Sequence, residues 1–150
     1  MQRALSPFLF RLLLLKMLPL GFLAGLQLLR SDEQACYIGL RYSYLTKTPF
    51  RSVYFAAQAM AAEMSTGLPA LLYLRANKSN TSMLVTDFEA RYFKKAVGKI
   101  QFRFDDVAAL QQAINQAGAE GTQFLAISRG YNAQNDCVAE MRVSWSFKKR

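Results

Sequence analysis

One carboxylate stands alone in the most apolar helix-forming stretch of this chain. Between Ser52 and Leu74 the only charged residue is Glu63, in a segment that also carries Ala56, Ala57, Ala59, Ala61 and Ala62. Such a carboxylate reads in one of two ways. It is a nucleophile or general base whose pKa burial has raised, or it is a buried glutamate paired with an arginine or a backbone group, because an unpaired buried charge is costly. The chain has no histidine. That excludes Ser-His-Asp and Cys-His nucleophiles and the HExxH metalloproteases. Any chemistry must rest on carboxylates, hydroxyls, backbone N–H groups and Lys or Arg. Cys36 and Cys137 lie far apart, with no Cys-x-x-Cys spacing, and are too few for a structural zinc site. They read as two reduced thiols on the apolar faces of strands.

The elements that must hold Glu63 follow from the pattern around it. The 150 residues suit a single domain. The composition is 52% hydrophobic and 19% charged, the charged share lying below the usual ~25%, as in a protein that hides apolar surface in a partner subunit. Nineteen Lys and Arg against ten Asp and Glu give a net charge of +9, which suits either an anionic partner or solubility alone. Residues 4–29 are strongly apolar but are interrupted by Arg11 and Lys16. They read as two short helices joined near Pro19 and packed on the domain. Retention of this segment on a soluble, cytoplasmic protein is expected. Membrane-surface attachment is the other reading, because basic residues flank an apolar helix.

Strict alternation predicts a strand from Cys36 to Tyr44, in which Cys36, Ile38, Leu40, Tyr42 and Tyr44 share one face. Ser52 is the expected N-cap of a helix over 52–74, with Gly67 and Pro69 ending or kinking it. A helix apolar on all faces is buried or in lipid. The Gly-Pro interruption and Glu63 favour burial by surrounding sheet. Strands follow over 84–93 and 99–105. Asp106 is the expected cap of a short amphipathic helix over 107–117, ended by Gly118. The last strands are expected at 122–129 and 137–147, the latter alternating from Cys137 to Phe147.

Certain motifs carry a resemblance. Thr48-Pro49-Phe50-Arg51-Ser52-Val53-Tyr54-Phe55-Ala56-Ala57 and Met60-Ala61-Ala62-Glu63-Met64-Ser65-Thr66-Gly67 resemble the central-helix region of a poorly characterised, acyl-CoA thioesterase-like branch of the hotdog superfamily. Phe93-Lys94-Lys95-Ala96-x-Gly98 and Trp145-Ser146-Phe147-Lys148 extend the likeness over about residues 17–148. The resemblance implies an α+β hotdog fold: one domain over 1–150, its antiparallel sheet wrapped around one long central helix, with residues 1–30 as an extra helical segment.

It also implies a thioester substrate, acyl-CoA or acyl-carrier protein, with no cofactor beyond the CoA of the substrate, and a homodimer or dimer of dimers. Backbone N–H groups at the helix start would polarise the thioester carbonyl, here those of Arg51, Ser52 and Val53, while a helix carboxylate attacks or activates water. The sequence departs from the pattern twice. The usual His-Gly-Gly at the helix start is Phe50-Arg51-Ser52. The usual carboxylate, near Gln58 or Ala59, is absent, and Glu63 comes about one turn later on roughly the same face. Lys94, Lys95 and Arg91 read as point charges for the CoA phosphates or as a solvated turn. Tyr42, Tyr44 and Tyr54 read as acyl-pocket walls or as core. Two functions remain open: a thioesterase using Glu63, with Asp87 as the next carboxylate, and a non-catalytic acyl-CoA or lipid-binding protein. Nucleic-acid binding has no motif behind it, and no stable membrane insertion is expected.

Overall fold

The computed structural model describes residues 5–150. Pro7 opens α1 (Pro7–Met17) at the position where a missing N–H costs nothing, and the Ser6 hydroxyl caps it by accepting from Leu9 N–H at 3.2 Å. Pro19 starts α2 (Pro19–Ala24), which ends on Gly25 in the left-handed region. The two expected helices are therefore present. The apolar run does not stay helical to its end, however. Gln27–Ser31 forms β1, an edge strand paired antiparallel with β2 (Cys36–Arg41). The remaining elements are α3 (Phe55–Ala76), β3 (Thr81–Tyr92), β4 (Lys99–Phe104), α4 (Val107–Asn115), β5 (Thr122–Tyr131) and β6 (Cys137–Lys149).

All six strands join one antiparallel sheet in the order β1-β2-β4-β5-β6-β3. Helix α3 lies on its inner face, and the chain has the hotdog architecture. Period-2 alternation puts Ile100, Phe102 and Phe104 of β4 against α3, together with Met141, Val143, Trp145 and Phe147 of β6. Apart from Phe10 of α1, the buried core aromatics come from the sheet, and α3 supplies small residues, so the backbones of α3 and the sheet approach closely. Two polar clips set the depth of α3. Trp145 Nε1 donates to Thr66 Oγ1 at 2.9 Å, and Thr66 Oγ1 donates to the Glu63 carbonyl at 3.0 Å. Ser128 and Ser65 hydroxyls meet at 2.7 Å while Ser65 donates to the Ala62 carbonyl. Each buried hydroxyl thus has a partner, as burial requires.

Three expectations about α3 are corrected. It begins at Phe55, three residues after Ser52, because Thr48–Val53 is held as a loop. Thr48 N–H bonds to Ser52 O, Val53 N–H to Ala96 O and Tyr54 N–H to Thr46 O. The Ser52 hydroxyl pairs with Thr48 Oγ1 at 3.0 Å and caps nothing. Gly67 and Pro69 do not end the helix, which runs on to Ala76 with both residues buried. Asp106 occupies the N-cap position of α4 without a side-chain cap bond, and the C-cap is Gln116, before Gly118. On β2, the expected strand stops at Arg41; Tyr42 and Tyr44 are exposed beyond it and not core.

Gly67 explains why the helix tolerates a poor former at that position. A Cβ there would stand 2.9 Å from Trp145 Cζ2 and 3.2 Å from Glu63 Oε1. The indole is buried and tied to Thr66, so it has nowhere to go. Gly67→Ala gains about 1 kcal/mol of helix propensity against ~1–3 kcal/mol of overpacking. Urea denaturation is expected to show a net loss of stability for Gly67→Ala, where a solvent-exposed helix glycine would show a gain.

Candidate functional site

A cleft of about 750 Å³ opens at the start of α3, within the usual ~300–1,000 Å³ of ligand sites. Three segments build it. The loop before α3 contributes Lys47, Thr48, Pro49, Phe50, Ser52 and Val53. Tyr54, Phe55 and Gln58 come from the helix start, and Tyr92, Phe93, Lys94, Lys95 and Ala96 from the end of β3 and the segment after it. Two bonds pin the loop to that segment: Val53 N–H to Ala96 O at 2.8 Å, and Lys95 Nζ to Phe50 O at 3.3 Å. The Tyr92 hydroxyl donates to Phe55 O at 3.1 Å and fixes the end of β3 to the first turn of α3. Burial pushes the Tyr92 phenol up, which keeps it a neutral donor.

The cleft walls are aromatic. Tyr54 and Phe55 meet edge-on with ring centroids 4.9 Å apart, and Phe55 and Tyr92 meet at 6.2 Å. Phe50, Phe55 and Phe93 remain exposed at the mouth, a contiguous apolar patch of the kind that marks binding surfaces.

Two polar features converge on this apolar cleft. The first is the helix start. Gln58 N–H bonds to Tyr54 O, but no side chain caps α3, and among the described residues no protein acceptor takes the N–H groups of Phe55, Ala56 and Ala57. These donors sit at the positive end of the helix dipole. The second is Gln58. Its side chain is buried, its Nε2 donates to Val53 O at 3.1 Å, and its Oε1 has no partner. A buried amide oxygen left open costs ~1–3 kcal/mol, and Gln58 is one of the residues that line the cleft.

The structure brings together five of the seven residues the sequence nominates. Ser52, Val53, Tyr54, Lys94 and Lys95 all line the cleft, and Arg51 and Glu63 do not. The donors also differ from those expected. Arg51 N–H is spent on Thr48 O, and Val53 N–H on Ala96 O. The free donors lie three to four residues later because the helix starts later. Arg51 instead holds a left-handed backbone with φ of 60° that closes the tight Thr48–Ser52 loop. Lys94 reaches Asp136 at 3.4 Å across an exposed surface, and Arg91 reaches Glu89 at 3.3 Å outside the cleft.

Glu63 stands eight residues beyond Phe55, about 12 Å along the axis. Among the described residues its carboxylate has no hydrogen bond or ion pair, so neither an arginine nor a backbone partner explains it. Burial raises its pKa. Asp87 faces Ser144 on the outer side of the sheet, away from α3. Cys36 lies in the core with its thiol pushed up to about 12 by burial, and it has no part in the site.

No protein-family model matches the chain, and no curated protein does. Solved structures do. PA5026 of Pseudomonas aeruginosa, a protein of unknown function described as a probable thioesterase, superposes with a TM-score of 0.78 at 18% identity, over 97% of both chains. A mutant of thioesterase PA1618 from the same organism gives 0.73 at 11% identity, over 98% of this chain and 96% of the other. Thioesterase HI1161 of Haemophilus influenzae gives 0.67 at 12% identity, over 99% and 94%. At these identities the likeness shows the fold.

The unpaired, half-buried carboxylate has a measurable consequence. Because burial holds its native pKa above the ordinary carboxylate value of 4.5, the native chain holds this proton to higher pH than the unfolded chain does. Stability therefore falls as pH rises above that value. Glu63→Gln removes the effect, so its unfolding midpoint should gain on the parent between about pH 4 and about pH 8. Equal midpoint differences at both ends would mean the carboxylate is solvated.

Proposed function

We propose that this protein binds an acyl thioester with the thioester carbonyl at the open start of α3, and that its slow hydrolysis depends on Glu63 through a chain of waters. That carboxylate lies outside the cleft lining, about 12 Å along the helix and beyond the reach of one bridging water. The observation that carries the reading is an apolar cleft at an uncapped helix start, lined by Phe55, whose N–H is unspent, and by Gln58, whose side-chain oxygen has no partner. A thioester carbonyl is an acceptor whose charge grows as a nucleophile adds, and fixed donors at a helix start stabilise that growth without reorganising. Gln58 Oε1 suits a donor close by, either a ligand amide N–H or a water. Lys47, Lys94 and Lys95 offer positive charge to the phosphates of CoA, and the absence of any carboxylate from the cleft lining favours an anionic ligand. The thioesterase names of similar folds agree with this substrate class.

The reading includes a homodimer. β3 ends the sheet with one long edge unpaired, and its inner side chains Phe88 and Tyr92 remain partly exposed. An exposed edge of this length is an invitation to pair, and a second copy there would extend the sheet beside α3. Two free cysteines suit the reducing cytoplasm.

A second reading, a non-catalytic acyl-CoA-binding protein, is favoured by one specific observation. The helix positions near which the resemblance puts a carboxylate hold Gln58 and Ala59, and Glu63 lies outside the cleft lining. Thiol release from an acyl-CoA panel separates the two. Loss of a general base lowers rate by about 10²–10⁴-fold, so Glu63→Gln should lose hydrolysis by that factor and keep acyl-CoA affinity. Gln58→Leu should weaken affinity in the parent background. Binding without hydrolysis in the parent gives the second reading, and unchanged hydrolysis in Glu63→Gln makes Glu63 structural.

A further inference from the structure

Helices α1 and α2 bury one side and leave the other strongly apolar. Phe10 and Leu14 of α1 and Gly21 of α2 face the domain. On the opposite side of α1, Phe8, Leu12 and Leu15 recur at i, i+4 and i+7 and are 69%, 47% and 54% exposed. Leu20 and Leu23 of α2 continue the surface at 61% and 58%. A run of five large exposed apolar side chains on two consecutive helices far exceeds the scattered exposure of ordinary surfaces.

The charges around it have one sign. Residues 5–31 contain Arg11, Lys16 and Arg30 and no acid. Arg11 stacks over the Phe22 ring at 5.4 Å, at the junction of the two helices. Arg75, in the last turn of α3, donates to Met17 Sδ at 2.9 Å and brings another cation to the end of α1. Arg30 is already neutralised by Asp32 at 2.6 Å, which leaves Arg11, Lys16 and Arg75. On the helix circumference Arg11 and Lys16 flank the Phe8–Leu12–Leu15 stripe.

We propose that this face docks reversibly on an anionic lipid bilayer, with α1 and α2 lying in the interface. Apolar side chains enter the acyl boundary while flanking cations meet the headgroups. Insertion across the bilayer is a different matter: α1 has 11 residues, about 16 Å of helix against a hydrocarbon core of ~30 Å. A second copy of the chain fits the face less well. A twofold contact would set Arg11 and Lys16 of both copies against each other, with no acid on these elements to pair them.

The test is co-sedimentation of the purified full chain with vesicles of phosphatidylcholine alone or with one third phosphatidylglycerol. The parent should pellet at least about tenfold more with the anionic vesicles. Raising NaCl from about 0.1 M to about 1 M, which shortens the Debye length from about 10 Å to about 3 Å, should release it. The triple variant Phe8→Ser, Leu12→Ser, Leu15→Ser and the double variant Arg11→Glu, Lys16→Glu should each lose at least about tenfold of the pelleting while keeping the parent's circular dichroism. A parent that stays in the supernatant with anionic vesicles overturns the proposal, and so does a triple variant that pellets as the parent does. A parent that does not pellet and whose sedimentation mass halves in the triple variant assigns the face to a second copy instead.

Discussion

The close approach of α3 to the sheet is the constraint on which the rest of the structure depends. The middle of α3, where Ala61, Ala62, Ser65, Thr66 and Gly67 are buried, has little side-chain volume to offer, so it can be buried only where the sheet brings its own large side chains to it. Phe102, Phe104, Trp145 and Phe147 do that. Gly67 lets the Trp145 ring sit where a Cβ would collide. The Thr66–Trp145 and Ser65–Ser128 bonds then fix one depth, because any sliding of the helix would strand buried hydroxyls.

That depth decides what happens at the helix start. The chain reaches α3 through a loop that spends its own N–H groups on Thr46, Thr48 and Ala96 carbonyls. The acceptor that could cap the first turn, the Ser52 hydroxyl, is paired with Thr48 Oγ1, and Tyr54 at the N-cap position offers no cap bond. The first turn of α3 is left with unspent N–H groups at a cleft lined by Phe55 and Gln58, with the Gln58 amide held by Val53 O. An uncapped helix start is a loss for folding stability of about 1 kcal/mol, and a ligand carbonyl placed there recovers it. The same economy of charge along α3 leaves Glu63 without a partner, and burial raises its pKa, so that it would serve as a base if substrate or water reaches it.

Much of this was legible in the residues. Alternation in Ile100-Gln101-Phe102-Arg103-Phe104 and from Cys137 to Phe147 marks strands buried on one face, and the alanine-rich stretch around Glu63 marks the enclosed helix. β1 was not legible, because Gln27–Ser31 continues an apolar run and buries only Leu28 at a sheet edge, so its pattern carries no period. The helix start was misplaced because Ser52 has the chemistry of a cap while its hydroxyl is claimed by Thr48, a contact between side chains that no local rule signals. Pro69 stays inside α3 because the surrounding sheet overrides its helix-breaking tendency. Gln58 carried a faint signal: it is the one polar side chain in the first two turns of a helix otherwise built from Phe, Ala and Met. Its importance comes from a cleft formed by segments some forty residues apart, which spacing alone does not reveal.

Backbone amide spectroscopy tests directly whether the start of α3 receives an acyl thioester. The titrant is a thioether analogue of an acyl-CoA that keeps the acyl carbonyl one carbon from sulfur and so resists hydrolysis. Hydrogen bonds from the helix start to that carbonyl should move the amide proton resonances of Phe55, Ala56 and Ala57 downfield, together with the side-chain amide of Gln58. Saturable shifts confined to other elements, with these four signals unmoved, would contradict it.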